Sequence, residues 1–312
     1  MPLPENLSIE ENFDGVVGFV EELRRVGVEE RRKVYCDFRA LKRIGTAGAL
    51  ILVAELDRWR RMANIPLSVI DVASWNPQVR RLLDEMGVFE ILDIRNPPKS
   101  EQPLDDEFRF VKFRTGNRAF GNMARELQVA IEDVTGNVPS RQTLYRGLSE
   151  AMTNAVQHAY PDDAEYRTRP LKGQWWMMGS YDETSKRLTV AFYDQGVGIP
   201  KTLPRTQTAE RLRGLLDRLR LVDDDAARIR CAMEIGRTQT GAEHRGGGLA
   251  RDIRRHTEMV PAGRLRVLSG KGEYIYDPYA ENENGQERLF THNKELGGTL
   301  IQWEATLVEE AE

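Results

Sequence analysis

The stretch SEAMTNAVQHAY, Ser149–Tyr160, sets Glu150, Asn154 and His158 at intervals of four in a small and apolar run. On a helix that spacing aligns the three side chains in one stripe. A carboxylate, a carboxamide and an imidazole on one face are costly to bury without partners, so something polar should meet them. By itself the stripe fits a solvated helix face as well. Further along, in AFYDQGVGIP (Ala191–Pro200), an apolar strand ends in Asp194 and is followed by Gly196 and Gly198. Glycine at alternate positions lets the backbone turn sharply and come close to a ligand. An aspartate at that strand end can accept a hydrogen bond from an exocyclic amine such as that of adenine. An ordinary Asp-Gly turn would read the same way. The third stretch, HRGGGLARDIRRH (His244–His256), opens a helix with Gly246, Gly247 and Gly248. Glycines there leave backbone N–H groups free to point at an anion, and phosphate is the natural guest. A flexible loop before a helix is the alternative.

Around these stretches lies a chain of 312 residues, 40% hydrophobic and 30% charged, long enough for one large or two ordinary domains. The proline-rich, polar run RNPPKSEQPLDD (Arg95–Asp106) reads as a linker, residues 97–107, dividing residues 1–96 from 108–312. Before it, KVYCDF (Lys33–Phe38), PLSVIDV (Pro66–Val72) and VFEILDI (Val88–Ile94) have the composition of strands. Helices are expected over Val17–Val26, Gly45–Met62 and Asn76–Gly87, which together make an α/β sandwich. After it, helices are expected over Arg118–Val134, Ser140–His158 and Thr208–Met233. Gln174–Tyr181 and Arg187–Tyr193 should form a hairpin about the polar turn DETSKR. Arg264–Ser269 and Glu273–Tyr276 should form a second about GKG, with Gly298–Ala305 as a final strand. The outcome is a mostly antiparallel sheet with helices on one face.

With 45 basic against 49 acidic side chains the net charge is −4, so phosphate backbones are not attracted globally and nucleic acid is not the default partner. The longest apolar run, Ala47–Ala54, is far short of the ~20 residues that span a bilayer, so no membrane partner is expected. Cys36 and Cys231 fit neither a disulfide framework nor a closed zinc site, which points to a reducing, cytoplasmic compartment.

In order, a polar-striped helix, a strand ending DxGxG, a long segment, a glycine-rich helix start and GGTLIQWE (Gly297–Glu304) resemble the Bergerat-fold, or GHKL, nucleotide-binding domain. DNA gyrase, the large heat-shock chaperones, sensor histidine kinases and the mismatch-repair ATPases share that fold. The resemblance spans roughly Phe108 to Leu307, and its wording is nearest to the anti-sigma-factor serine kinases. It implies ATP and Mg²⁺ as cofactors, with Asn154 as the metal ligand and Glu150 as general base. Asp194 would accept from the adenine amino group, Gly196 and Gly198 would shape the purine pocket, and Thr299 would sit near the base. Gly246, Gly247 and Gly248 would cradle phosphates, with His158 close to them. Two departures stand out: GGGL replaces a GxGLGL-like pattern, and the Gly198–Gly246 stretch, the position of the ATP lid, carries a helix of its own. Its Arg/Asp pattern fits a solvated amphipathic helix better than a partner surface.

DFRALKRIGTAGALIL (Asp37–Leu52), a helix and PLSVIDV are similar to the STAS domains of anti-anti-sigma factors. The resemblance places Thr46 at the phosphoacceptor position, although Gly45 stands where an acidic residue is usual. A helix N-cap is the plainer role for Thr46. The expected function is an ATP–Mg²⁺-binding regulatory protein with a histidine-kinase-like ATPase domain, switching partner contacts with nucleotide state and hydrolysing ATP slowly. One alternative is a serine/threonine kinase of the anti-sigma type, acting on a STAS partner or on Thr46. Another is a non-hydrolysing nucleotide-binding subunit of a bacterial stress or anti-phage assembly. A sigma/anti-sigma-like, STAS-domain or operon-encoded protein is the expected partner, and a homodimer is compatible with each reading.

Overall fold

The structure is a computed structural model that describes residues 1–94, 108–117, 121–135, 153, 158–166, 170–238, 254, 257–281 and 286–307. Its centre is a five-stranded sheet of β3 (Phe108–Gly116), β4 (Trp175–Asp182), β5 (Arg187–Asp194), β6 (Arg264–Tyr276) and β7 (Glu287–Thr306), in the order β3-β4-β5-β7-β6. Every neighbouring pair is antiparallel. The β4–β5 hairpin closes as its sequence leads one to expect, from Trp175 opposite Asp194 to Asp182 opposite Arg187. Its turn is held by the Asp182 carboxylate, which accepts from the Thr184 and Ser185 N–H groups at 2.9 and 3.0 Å.

Trp175–Met178 of β4 and Val190–Tyr193 of β5 are unbroken apolar runs because the sheet is buried on both sides there. Alternate residues of a strand face opposite ways. Trp176, Met178, Ala191 and Tyr193 join one core with α1 (Ile9–Leu23) and α2 (Thr46–Ala63). Trp175, Met177, Val190 and Phe192 join another with Ile131 of α5 (Gly121–Thr135) and with Ile229 and Met233 of α8 (Asp225–Thr238). Described helices therefore cover both faces, where the sequence suggested one. Residues 1–94 share their core with the sheet.

Several expected elements take another form. KVYCDF and PLSVIDV are not strands: residues 1–94 contain, as strands, only the parallel pair β1 (Asn6–Leu7) and β2 (Arg43–Ile44). Ile65, Leu67 and Val69 are half-buried while Pro66, Ser68 and Ile70 are exposed, so the alternation of a strand is present. Among the described residues, however, the 66–70 backbone makes no backbone hydrogen bond. Composition sets extension and burial, but a ladder also needs a neighbour about 4.8 Å away, and here an open space adjoins the run instead. VFEILDI forms the short helix α4 (Val88–Ile91) after α3 (Pro77–Glu85), since a short apolar run has no period that separates strand from helix.

In the second half, the GKG segment is an irregularity within the continuous strand β6, with register shifts at Gly270 against β7. The Asp225 carboxylate at the start of α8 accepts the Lys271 N–H at 2.8 Å and holds the distortion in place. Thr208–Met233 is two helices, α7 (Ala209–Leu219) and α8, with α6 (Ile199–Thr206) before them. Arg220 ends α7 at φ 55°, and Asp224 opens α8 by accepting the Ala227 N–H at 2.8 Å. Of the expected Ser140–His158 helix only residues 153 and 158 are described.

The space beside the 65–70 run is a cavity of about 550 Å³ between that segment, residues 33–38 and helices α2, α3 and α4.

Candidate functional site

The end of β5 brings together four of the residues singled out in the sequence. Asp194 lies opposite Thr299 of β7 and, like Phe192 two residues earlier, faces α5 and α8. It is 5% exposed, and its carboxylate accepts the Gly196 N–H at 2.9 Å. Burial pushes its carboxyl up to about 7, and the Gly196 and Thr299 backbone groups offset only part of that rise. The Thr299 hydroxyl lies 3.0 Å from that of Ser269, which donates to the Gly298 carbonyl at 2.9 Å and accepts the Ile199 N–H at 2.9 Å.

The loop after Asp194 has its shape because two positions are glycine. A Cβ on Gly196 would stand 2.2 Å from the Ala159 carbonyl oxygen, and Gly198 has φ 84° at the start of α6. Ala159 is docked here through its carbonyl, which accepts the Val197 N–H at 2.9 Å. Tyr160 adds a second tie: its hydroxyl accepts the Gln195 N–H at 2.9 Å and donates to the Gln174 carbonyl at 2.6 Å. The end of the SEAMTNAVQHAY stretch thus abuts the DQGVG loop, with His158 exposed one residue before the contact. Glu150, Asn154, Gly246, Gly247 and Gly248 lie outside the described residues. Among the described residues no group of three or more His, Cys, Asp or Glu side chains could hold a metal ion, and no helix is long and apolar enough to cross a membrane.

On the opposite face of the sheet, Gln195 turns away from Asp194 towards α2. Its side-chain amide donates to Glu55 at 3.4 Å. Glu55 is fully buried and takes Arg24 at 3.1 Å and the Arg58 Nε at 3.1 Å. Burial opposes its ionisation, but Arg58 and Arg24 hold its carboxyl below the usual value. Asp57, also fully buried, accepts from Arg60, Arg61 and the Trp176 indole at 3.0, 2.9 and 3.0 Å. A cavity of about 40 Å³ lies beside Arg24, Arg58, Gln195, Gly196 and Gly298, room for water. The buried Gln195 Oε1 and Arg24 Nε have no hydrogen-bond partner among the described residues.

Tyr160, Gln195 and Ser269 were not singled out as site residues in the sequence. The first two stand inside the quoted stretches, and the third precedes a glycine in β6, so a polar residue interrupting an apolar run was the signal available. Thr46 is the first residue of α2, with Gly45 as the cap, so its hydroxyl does not serve as the N-cap. It lies 2.8 Å from the Ser180 hydroxyl of β4. Cys36 and Cys231 are free thiols, pushed up to about 12 and about 11 by burial. No protein-family model matches the chain, and no curated protein matches it significantly.

Proposed function

We propose that the β5 end is the adenine pocket of an ATP–Mg²⁺-binding regulatory protein of the Bergerat kind. The observation that carries this reading is the buried Asp194 carboxylate, held by the Gly196 N–H beside the Thr299 and Ser269 hydroxyls on one sheet face. That donor leaves lone pairs on a carboxylate that can take four. An adenine amino group is a suitable further donor, with Gly196 and Gly198 close to the base. His158, near the same loop, would approach the phosphates. In the same reading Asn154 holds Mg²⁺, Glu150 orients the attacking water, and Gly246, Gly247 and Gly248 cradle the phosphates. Phosphoryl transfer asks mainly for such positioning and charge neutralisation.

The regulatory part of the proposal rests on Gln195. Asp194 and Gln195 are consecutive, yet one faces the proposed pocket and the other donates to Glu55 beneath the amino-terminal helices. A nucleotide that favours one placement of this loop would bias the packing of residues 1–94, which in a STAS-like layer would present the partner surface. Calorimetry with ATP and Mg²⁺ on the full chain tests the pocket. Asp194→Ala should weaken binding by about tenfold or more, the loss of one charge-assisted hydrogen bond. Glu150→Ala should slow phosphate release while leaving binding intact. Retained ATP binding without any phosphate release would favour the non-hydrolysing subunit. Transfer to a STAS partner, read by mass spectrometry, would favour the kinase. Phosphorylation of the chain's own Thr46 has less support, since that hydroxyl is half-buried against Ser180.

A further inference from the structure

The cavity of about 550 Å³ in the amino-terminal layer opens to solvent and lies within the size range of ligand pockets. Its floor is one stripe of α2, Leu52, Leu56 and Trp59, at positions i, i+4 and i+7. The walls come from Phe38 and Trp75, whose rings stack at 4.4 Å, and from Leu67 and Val69 of the unpaired extended run. Among the described residues the lining has a single charged side chain, Lys33, which is exposed. Tyr35, one of its few polar members, already donates its hydroxyl to Asp71 at 3.3 Å. Water gains little in such a space, because it needs two or more polar partners to be held. A sugar or a nucleotide would lose its hydration without replacement.

We propose that this cavity binds an apolar small molecule carrying at most one anionic group, of the size of a medium-chain fatty acid, with its apolar body along α2 and its anionic end at Lys33. The site is separate from the β5 end: the ligand would lie against Leu52, Leu56 and Trp59, whereas Glu55 of the same helix accepts from Gln195 and pairs with Arg58. It stands whether or not ATP binds.

The test uses the full chain with dodecanoate and with the neutral dodecanol, each titrated by calorimetry. Both should bind with one-to-one stoichiometry. Leu67→Trp, which pushes a bulkier ring into the space from its wall, should weaken both by about tenfold or more. Lys33→Ala changes an exposed residue and leaves the core intact, so it should weaken dodecanoate about two- to fivefold and leave dodecanol unchanged. Bromine-labelled dodecanoate should quench tryptophan emission in the parent chain, and most of that quenching should vanish in a Trp59→Phe, Trp75→Phe variant. Absence of binding by both probes would overturn the proposal. So would equal affinity in Leu67→Trp, or quenching that survives loss of both tryptophans.

Discussion

The two faces of the central sheet treat a buried carboxylate in opposite ways. Towards α1 and α2, Glu55 is enclosed by Arg24 and Arg58 and its carboxyl is held below the usual value. Towards α5 and α8, Asp194 accepts the Gly196 N–H and, among the described residues, pairs with no cation, and burial raises it to about 7. A paired charge fixes how two layers fit together, whereas a buried carboxylate with no cation among the described residues keeps capacity for a further donor. Perturbed groups of the second sort cluster at functional sites.

The largest effect expected from breaking this contrast is at Glu55. Glu55→Ala leaves Arg24 and Arg58 buried without their anion, which should destabilise the chain by about 3–5 kcal/mol. Urea denaturation measures this directly. A loss below about 1 kcal/mol, the range of exposed pairs, would mean that water reaches the two arginines and that the layers are not locked together here.

Asp194 should behave in the reverse sense, and its effect should depend on pH. An unfolded aspartate titrates near 3.8 and the folded one at about 7. Between those values the native state keeps a proton that the unfolded state releases, so stability falls as pH rises, by up to about 1.4 kcal/mol per pH unit. Below 3.8 both states are protonated and the cost is absent, while above about 7 it is complete. Asp194→Asn should therefore match the parent chain near pH 4 and exceed it in stability at pH 8. Parallel stability curves from pH 4 to pH 8 would show that the carboxylate is solvated. If adenine donates to this group, ATP binding near pH 6 should also release protons, which calorimetry in buffers of different ionisation enthalpy would detect.

A smaller loss, about 1–3 kcal/mol, is expected for Gly196→Ala, because the new Cβ would stand 2.2 Å from the Ala159 carbonyl and backbone must move. The change should also weaken ATP binding, since the loop that yields is the one carrying Asp194. Unchanged stability in denaturation experiments would mean that the contact with Ala159 is not kept.

What could be read from the sequence divides along the same lines. The β4–β5 hairpin was legible because both strands are buried on two sides, which leaves unbroken apolar runs about a polar turn. That β5 ends at Asp194 and turns sharply through Gly196 and Gly198 was legible because an apolar strand running into alternate glycines marks a tight turn. Residues 33–38 and 66–72 misled because β-branched composition reports extension and burial but not whether a partner strand lies alongside. The break at Arg220 was hidden by a helix pattern continuing on both sides of it, and only the Asp224 cap marks the restart. Tyr160 and Gln195 act through contacts across 14 and 140 positions of chain, to the Gln174 carbonyl and the Glu55 carboxylate, which no local spacing encodes. Sequence periodicity also shows that α2 is apolar, but not that its charged residues are all paired beneath the sheet.

The smallest expected effect tests whether the two layers are joined by hydroxyls as well as by charge. Thr46 and Ser180 meet at 2.8 Å where α2 begins over β4. A neutral, half-buried hydrogen bond of this kind contributes about 0.5–1.5 kcal/mol, so Thr46→Val should cost no more than that and Ser180→Ala a similar amount. The pair should be non-additive, because either substitution removes the same bond, and a double-mutant cycle isolates the shared part. Coupling near zero would mean that each hydroxyl is equally well served by water. In that case the amino-terminal layer would depend for its placement on the Glu55 and Asp57 networks, and Thr46 would be open to modification without disturbing the sheet.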